Sequence, residues 1–279
     1  MILQNSTEVL EGSLTLAVAT AQEAGKLLIK GLGQETKVEH KSSAVDWVTE
    51  YDRASEKLIV EKLLDAYPDF GVVGEEGSRR EGGGRYTWYI DPLDGTNNYA
   101  HHFPMFAVSI ALYQGETPLA GVVYDPLREE TFSALSGRGA YLSRRNWKLR
   151  LRVSETTDLA ASLIATGFPY DRQTSAHNNV AAVAAFLRIA LDVRRTGSAA
   201  LDMVYVAAGR LDGYWEYKLF AWDMAAARLI IEEAGGKFTQ PDGQPFQMQE
   251  KLSAVASNGR IHSQLVEVLK QAAIKEETH

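Results

Sequence analysis

Tyr86-Thr87-Trp88-Tyr89-Ile90-Asp91-Pro92-Leu93-Asp94-Gly95-Thr96 begins as a strand and ends in chemistry. Tyr86, Trp88 and Ile90 alternate with Thr87 and Tyr89, and all five favour extended backbone, so Asp91 stands at a strand end. Pro92 cannot donate to a sheet ladder and Gly95 accepts angles that other residues resist. The sequence therefore predicts a sharp turn over Asp91 to Asp94. Both carboxylates then face one small volume, where they repel unless one is protonated or a cation lies between them. Oxygen-only donors favour magnesium or manganese over zinc. Taken alone, the pair also reads as an Asx turn.

More carboxylates stand in other segments. Upstream, Asp69-Phe70-Gly71-Val72-Val73-Gly74-Glu75-Glu76 is a short apolar strand ending in an acidic pair, which taken alone reads as an exposed, solvated turn. Downstream, Phe220-Ala221-Trp222-Asp223-Met224 places an aspartate where an alanine-rich helix begins, a position that a helix cap would also explain.

Leu14, Ala17, Val18, Ala21, Ala24, Leu27 and Leu28 recur at helical spacing with Gly31 and Gly33 as the stop. Ala54, Leu58, Leu63 and Leu64 predict a second helix. Strand-like runs follow at 70–73, 86–90, 106–113, 119–124 and 131–134, and their short turns suggest an antiparallel sheet. Beyond about residue 153 helices are expected over 176–190, 198–208 and 222–233, between short strands. The expected organisation is an α+β half, residues 1–153, and a smaller α/β half, residues 154–279, packed tightly around one cleft. Glu81-Gly82-Gly83-Gly84-Arg85 reads as a surface turn or as a segment able to move beside the acidic site.

The 279 residues are 45% hydrophobic and 23% charged, the composition of an ordinary globular protein. No stretch has the apolar length of a membrane span and the N-terminus lacks the pattern of a signal peptide, so the cytoplasm is the expected compartment. With no cysteine, disulfides, thiolate metal sites and cysteine nucleophiles are excluded. The formal charge of −7 argues against a general nucleic-acid binder. Ser143 to Val153 is a basic exception. Lys148, Arg150 and Arg152 alternate there with Leu149, Leu151 and Val153, which predicts a half-buried strand with a solvated basic face, the rival being a patch for an acidic partner. An exposed Trp147 would favour the rival.

The order Gly74-Glu75-Glu76, then Asp91-Pro92-Leu93-Asp94-Gly95-Thr96, then Trp222-Asp223, resembles the inositol monophosphatase family of magnesium-dependent, lithium-sensitive phosphatases. Lys41-Ser42-Ser43, Asp46, Val48-Thr49, Asp52, Gly197-Ser198-Ala199-Ala200, Glu216 and Glu233-Ala234-Gly235-Gly236 extend the resemblance over nearly the whole chain. It implies a layered α/β/α/β/α sandwich of the sugar-phosphatase type, and commonly a homodimer.

The resemblance also implies roles. Glu75, Asp91 and the Leu93 carbonyl would hold one magnesium ion, and Asp91, Asp94 and Asp223 a second. A weaker third ion near Glu75 and replacement by manganese are further expectations. Thr96 would pair with Asp52 to orient or deprotonate water, with Glu75 as a further proton acceptor, although Thr96 and Asp52 also stand where helix caps belong. Gly95 and Thr96 N–H groups would hold phosphate oxygens at a helix start. Lys41 would belong to a metal-proximal loop, its alternative being a surface lysine.

On the substrate side the family assigns ring contacts to Glu216, Gly197, Ser198 and Ala199, with Ser198 standing where animal members carry threonine. Phe168 to Arg172, with Arg194 and Arg195, are candidates for a pocket wall or a dimer contact. His101 and His102, adjacent on what reads as an extended segment, point apart and stay outside the site, and His177 is expected to be exposed at a helix start. The expected substrate is inositol 1-phosphate or a similar small polyol or sugar phosphate. Fructose 1,6-bisphosphatase (alone or with dual specificity), histidinol-phosphatase and nucleotide 3′-phosphatase are the rival activities, the last disfavoured because no added segment suits adenine. A regulatory protein that retains the fold is the alternative outside catalysis.

Overall fold

The computed structural model describes residues 2–34, 37–41, 43, 45–83, 85–249 and 251–277; Ser42 and Gly84 lie outside them. Helices α1 (Ile2–Gly31) and α2 (Glu50–Ala66) flank a hairpin of β1 (Val38–His40) and β2 (Trp47–Thr49). Strands β3 (Gly71–Gly74), β4 (Arg79–Arg80), β5 (Tyr86–Asp94), β6 (Ala107–Gln114), β7 (Thr117–Asp125), β8 (Glu130–Leu135), β9 (Ala140–Arg144) and β10 (Trp147–Arg150) form an eight-stranded sheet in the order β10-β9-β8-β7-β6-β5-β3-β4. Helix α3 (Thr96–Ala100) joins β5 to β6. The later elements are β11 (Leu163–Thr166), α4 (Val180–Phe186), β12 (Asp192–Arg194), α5 (Ala199–Ala207), β13 (Gly213–Phe220), α6 (Ala221–Glu233), β14 (Lys237–Thr239), β15 (Lys251–Ser257) and α7 (His262–Glu277). Their strands make a mixed sheet in the order β12-β11-β13-β15-β14.

The layers follow from which faces are apolar. Ala17, Ala21, Ala24 and Leu28 form one stripe of α1, buried with Ile59 and Leu63 of α2 against Trp88, Ile90, Ile110 and Val122 of the first sheet. The opposite face of that sheet, through Ala111, Tyr113, Val123 and Phe132, meets α5 and α6. Helix α6 is apolar on nearly every side because Tyr214, Ala254 and Ala256 of the second sheet cover its other surface. Phe186 of α4 and Leu265 and Leu269 of α7 then pack on Trp215 and Val255 beneath that sheet. The result is the expected α/β/α/β/α sandwich, with an antiparallel-rich sheet followed by a smaller mixed one.

The expected turn at Asp91 to Asp94 is absent, because β5 continues through both residues. Asp91 pairs with Ser109 and Asp94 with Ala107, so three steps on β5 match two on β6 and one extra residue is accommodated as a bulge. In a regular strand residues three apart face opposite sides. Here Ile90 and Leu93 both reach the α1 and α2 side, and Asp91 and Asp94 both reach the cavity on the other. Ser55 Oγ donates to the Pro92 carbonyl at 2.9 Å, and the Leu93 N–H donates to Asp91 Oδ1 at 3.1 Å, so the polar groups of the bulge are not stranded.

Other expectations change in ways that have local causes. The first sheet is not wholly antiparallel, since β3 runs parallel to β5. Helix α4 is shorter than the expected 176–190, and α2 starts at Glu50, earlier than expected, with Thr49 as its cap. Gly82 serves close packing rather than motion, for a Cβ there would come within 2.4 Å of the Gly71 nitrogen. The basic run is a hairpin of β9 and β10, and all four β10 residues are exposed; only Leu151 beyond it is buried, so the half-buried strand fails at Trp147 and Leu149. His101 and His102 follow α3 in a turn, not an extended segment, and His101 stacks on Trp47.

Candidate active site

Pairing Gly74 opposite Ile90 sets Glu75, just beyond β3, beside Asp91, and the Glu75 N–H donates to the Ile90 carbonyl at 3.2 Å. A Cβ on Gly74 would come within 2.5 Å of Glu56 Oε2, which explains the glycine. Buried Glu56 accepts from the Glu76 N–H at 2.7 Å and the Ser78 N–H at 2.9 Å, holding the turn that carries Glu75. Asp94 arrives across the bulge and Asp223 on the first turn of α6. Glu75, Asp91, Asp94 and Asp223 line one cavity between the two sheets.

Burial, then the carboxylates of Glu75, Asp94 and Asp223, hold Asp91 well above the usual carboxylate range. Burial and Glu75 raise Asp223 in the same way. Burial pushes Asp94 up to about 6 against the hydrogen bonds that favour its ionised form. Asp94 Oδ2 accepts from the Ser198 hydroxyl and, at 2.9 Å, the Ala200 N–H, while Oδ1 accepts from the Ala199 N–H at 3.1 Å. The N-terminus of α5 thus meets this charge with its own donors. Lys41 Nζ lies 2.9 Å from Glu75 Oε1 and also pairs with Glu76, so it is no free surface lysine. Burial opposes its charge, but the two glutamates prevail and raise its pKa.

Among the described residues no three of these carboxylates close on one point as they stand. Asp94 faces α5, Asp223 Oδ2 accepts from the Phe220 N–H at 2.7 Å, and Glu75 takes the Lys41 ammonium. The donor chemistry nevertheless fits a hard divalent cation, being oxygen-only, buried and in negative excess.

Thr96 and Asp52 meet beside this cluster. Thr96 Oγ1 donates to Asp52 Oδ1 at 2.7 Å, with the Leu93 carbonyl 3.1 Å away as a second acceptor. Asp52 Oδ2 accepts from the Thr49 N–H at 2.8 Å and from the Thr49 hydroxyl, so Asp52 is the third-residue partner in the capping box of α2, not its cap. Burial pushes its pKa up to about 6. Gly95 has φ +96°, and a Cβ there would lie 2.9 Å from the Met105 carbonyl oxygen. Only glycine suits both demands.

Across the cavity, Glu216 on β13 accepts from the Tyr214 hydroxyl and is pushed up to about 7 by burial. Gly197, Ser198 and Ala199 line the same wall, although the donors of Ser198 and Ala199 are turned to Asp94. Phe168, Pro169 and Tyr170 contribute to the wall as Arg195 does, whereas Arg194 pairs with Asp192 at 2.5 Å. Two participants escaped the sequence reading. Asp202 is buried in the cavity wall, accepts from Thr196 Oγ1 at 2.8 Å, and is raised by burial despite that bond. It is the one charged residue in the apolar helix Ala199–Ala207, a signal that was available. Glu56 gave no such signal on its mixed helix. His101, His102 and His177 are exposed outside the site, as expected.

Among the described residues no helix is long and apolar enough to cross a membrane. The family model described as the inositol monophosphatase family matches residues 10–273. An inositol-1-monophosphatase of Synechocystis sp. is 40% identical over 257 residues, covering 92% of this chain and 88% of that protein. A protein of Pseudomonas aeruginosa named Nus factor SuhB is 42% identical over 264 residues, covering 92% and 95%. The solved structure of inositol monophosphatase from Anabaena (Nostoc) sp. superposes with a TM-score of 0.83 at 38% identity, covering 94% of this chain and 96% of that one. With a family match over residues 10–273 and relatives of this identity and coverage, the chain belongs to the inositol monophosphatase family.

Proposed function

We propose that the chain is a magnesium-dependent phosphomonoesterase acting on inositol 1-phosphate or a similar small polyol phosphate. The observation that carries this reading is the meeting of Glu75, Asp91, Asp94 and Asp223 in one cavity beside the Thr96 and Asp52 pair. The family pattern assigns Glu75, Asp91 and the Leu93 carbonyl to one ion and Asp91, Asp94 and Asp223 to another, with a third near Glu75 and manganese as substitute. Residues 1–153 would thus supply most of the metal ligands, and residues 154–279 Asp223 and the substrate wall. When bound, the ions neutralise the phosphoryl oxygens, acidify water and stabilise the leaving alkoxide.

The chain's own residues do the rest. Thr96 donates its proton to Asp52, which leaves its oxygen free to accept from a water and so orient it. A carboxylate with pKa about 6 suits proton uptake near neutrality, and Asp52 has that value; Glu75 is a further acceptor. Backbone N–H groups of Gly95 and Thr96 would hold phosphate oxygens. Glu216 would bind polyol hydroxyls with the 197–199 backbone, while Ser198 and Ala199 also fix Asp94. Lys41 neutralises Glu75 and Glu76 until a cation replaces it. Exposed Leu187 (59%) and Leu191 (66%) beside α4 support a homodimer, and the cytoplasm is the compartment proposed for it.

Phosphate release with magnesium or with EDTA tests the reading on inositol 1-phosphate, fructose 1,6-bisphosphate, histidinol phosphate and adenosine 3′,5′-bisphosphate. Magnesium-dependent turnover is expected, fastest on the inositol ester and inhibited by lithium. Release from none of them would remove the phosphatase reading. Relatives named Nus factor SuhB favour one second reading, a binding role kept on the same fold.

A further inference from the structure

We propose that the β9–β10 hairpin is a docking edge for an acidic, extended segment of another protein, which adds to the first sheet as a ninth strand. The surface is separate from the cavity and the inference does not depend on the phosphatase reading.

Charge gives the first argument. Residues 131–154 contain no Asp or Glu and six Lys or Arg, within a chain of net charge −7. Of these cations Arg145 is committed to Glu129 at 2.8 Å. Arg144, Lys148, Arg150 and Arg152 are exposed. So dense a basic strip on an acidic protein is complementary to a partner's carboxylates rather than to the protein's own surface.

The backbone gives the second. Strand β10 is the terminal strand of its sheet, paired with β9 alone. Trp147 opposes Arg144, Leu149 opposes Leu142, and the Leu151 N–H donates to the Ala140 carbonyl at 2.8 Å. In an antiparallel ladder the bonded pairs alternate, so Trp147, Leu149 and Leu151 bond inward to β9. Lys148 and Arg150 then aim their N–H and C=O groups at the open edge. Such an edge is a template for another strand.

The side chains give the third. Leu149 shares a face with buried Leu142 and Leu151, yet it is 54% exposed and Trp147 is 46% exposed, because both overhang the end of the core. On the opposite face Lys148 Nζ sits 4.3 Å from the Tyr141 ring centroid, which props the ammonium near the strand. An incoming strand with alternating acidic and apolar residues would meet cations on one face and the Trp147 and Leu149 ledge on the other. A nucleic acid would use the charge but not the edge donors and acceptors, and it would face repulsion from the rest of the chain.

The probe is a fluorescent synthetic peptide of alternating glutamate and valine, titrated against the full chain, with an alternating lysine and valine peptide and a single-stranded RNA oligonucleotide as the other arms. Saturable, salt-sensitive binding of the acidic peptide is expected, with slowed amide exchange at Lys148 and Arg150. The double variant Lys148→Glu/Arg150→Glu should weaken binding by roughly tenfold or more, and Leu149→Ser should weaken it without changing the charge. Both variants lie on an exposed edge, and an unchanged Tm will show that they fold. The proposal is overturned if the acidic peptide does not bind, if protection appears away from β10, or if RNA binds better. Self-association that protects the same amides and disappears in the variants would assign the edge to a second copy and equally overturn it.

Discussion

Thr96 Oγ1 donates to Asp52 Oδ1 at 2.7 Å, while the other oxygen of that carboxylate closes the capping box of α2. One buried side chain therefore anchors a helix and reaches the cavity wall. Thr96→Ala should lower kcat about tenfold or more with KM little changed, and should cost roughly 1–3 kcal/mol for the Asp52 oxygen left without a donor. Thr96→Ser should restore most of both. Steady-state kinetics beside thermal melts would check this, and a change confined to KM would contradict the water-orienting role.

Asp94→Asn should abolish magnesium-dependent turnover while the protein remains folded. The amide keeps one acceptor but turns an NH2 toward the N–H groups of Ala199 or Ala200, so a stability loss of about 1–3 kcal/mol is expected as well. Calorimetric magnesium titration and circular dichroism separate the two effects. Turnover retained in a folded variant would remove Asp94 from the metal set.

Stability without metal should fall as pH rises. Burial raises Asp52 and Asp94 to about 6 and Glu216 to about 7, above their ordinary values of 3.8 and 4.5. Between those limits the folded chain binds more protons than the unfolded one, so each unit of pH lost to ionisation costs stability. In EDTA the Tm should decline from about pH 4 through about pH 7, with Asp91, Asp202 and Asp223, held well above the ordinary range, extending the decline. Saturating magnesium should remove most of the decline. A Tm that climbs over this window in EDTA would mean that the cluster is not charge-frustrated.

Gly167→Ala isolates the substrate wall. A Cβ there would come within 2.2 Å of both Glu216 carboxylate oxygens, a clash that the side chain relieves by swinging away. The expected result is a KM for the polyol phosphate raised by roughly fivefold or more with kcat nearly unchanged, and a stability loss of about 1–3 kcal/mol where the buried Tyr214 hydroxyl gives up its acceptor. Unaltered KM would show that Glu216 does not hold the substrate.

The acidic segments were legible because each pairs an apolar strand or helix start with a carboxylate, and such patterns survive in one dimension. Layer order was legible for the same reason, through the stripe on α1 and the all-round apolar α6. What could not be read depends on partners distant in sequence. Arg195 reaches the cavity while its neighbour Arg194 pairs with Asp192, a difference of one strand position. Lys41 is drawn in by Glu75 and Glu76, more than thirty residues away. The exposure of Leu149 was misread because alternation reports which side of a strand is apolar, not whether the core extends far enough to cover it.

The extra residue in β5 sets the backbone of the site as well as its side chains. Removing Pro92 or Leu93 would let β5 and β6 pair without interruption, a more regular ladder than the native one. The two aspartates would then stand two steps apart on one face, still toward the cavity, but the backbone carbonyls that now accept from Ser55 and Thr96 would lose their settings. Loss of one residue here would leave both carboxylates on their side of the sheet while moving the backbone oxygen that accepts from Thr96, a change that no substitution at either aspartate reproduces.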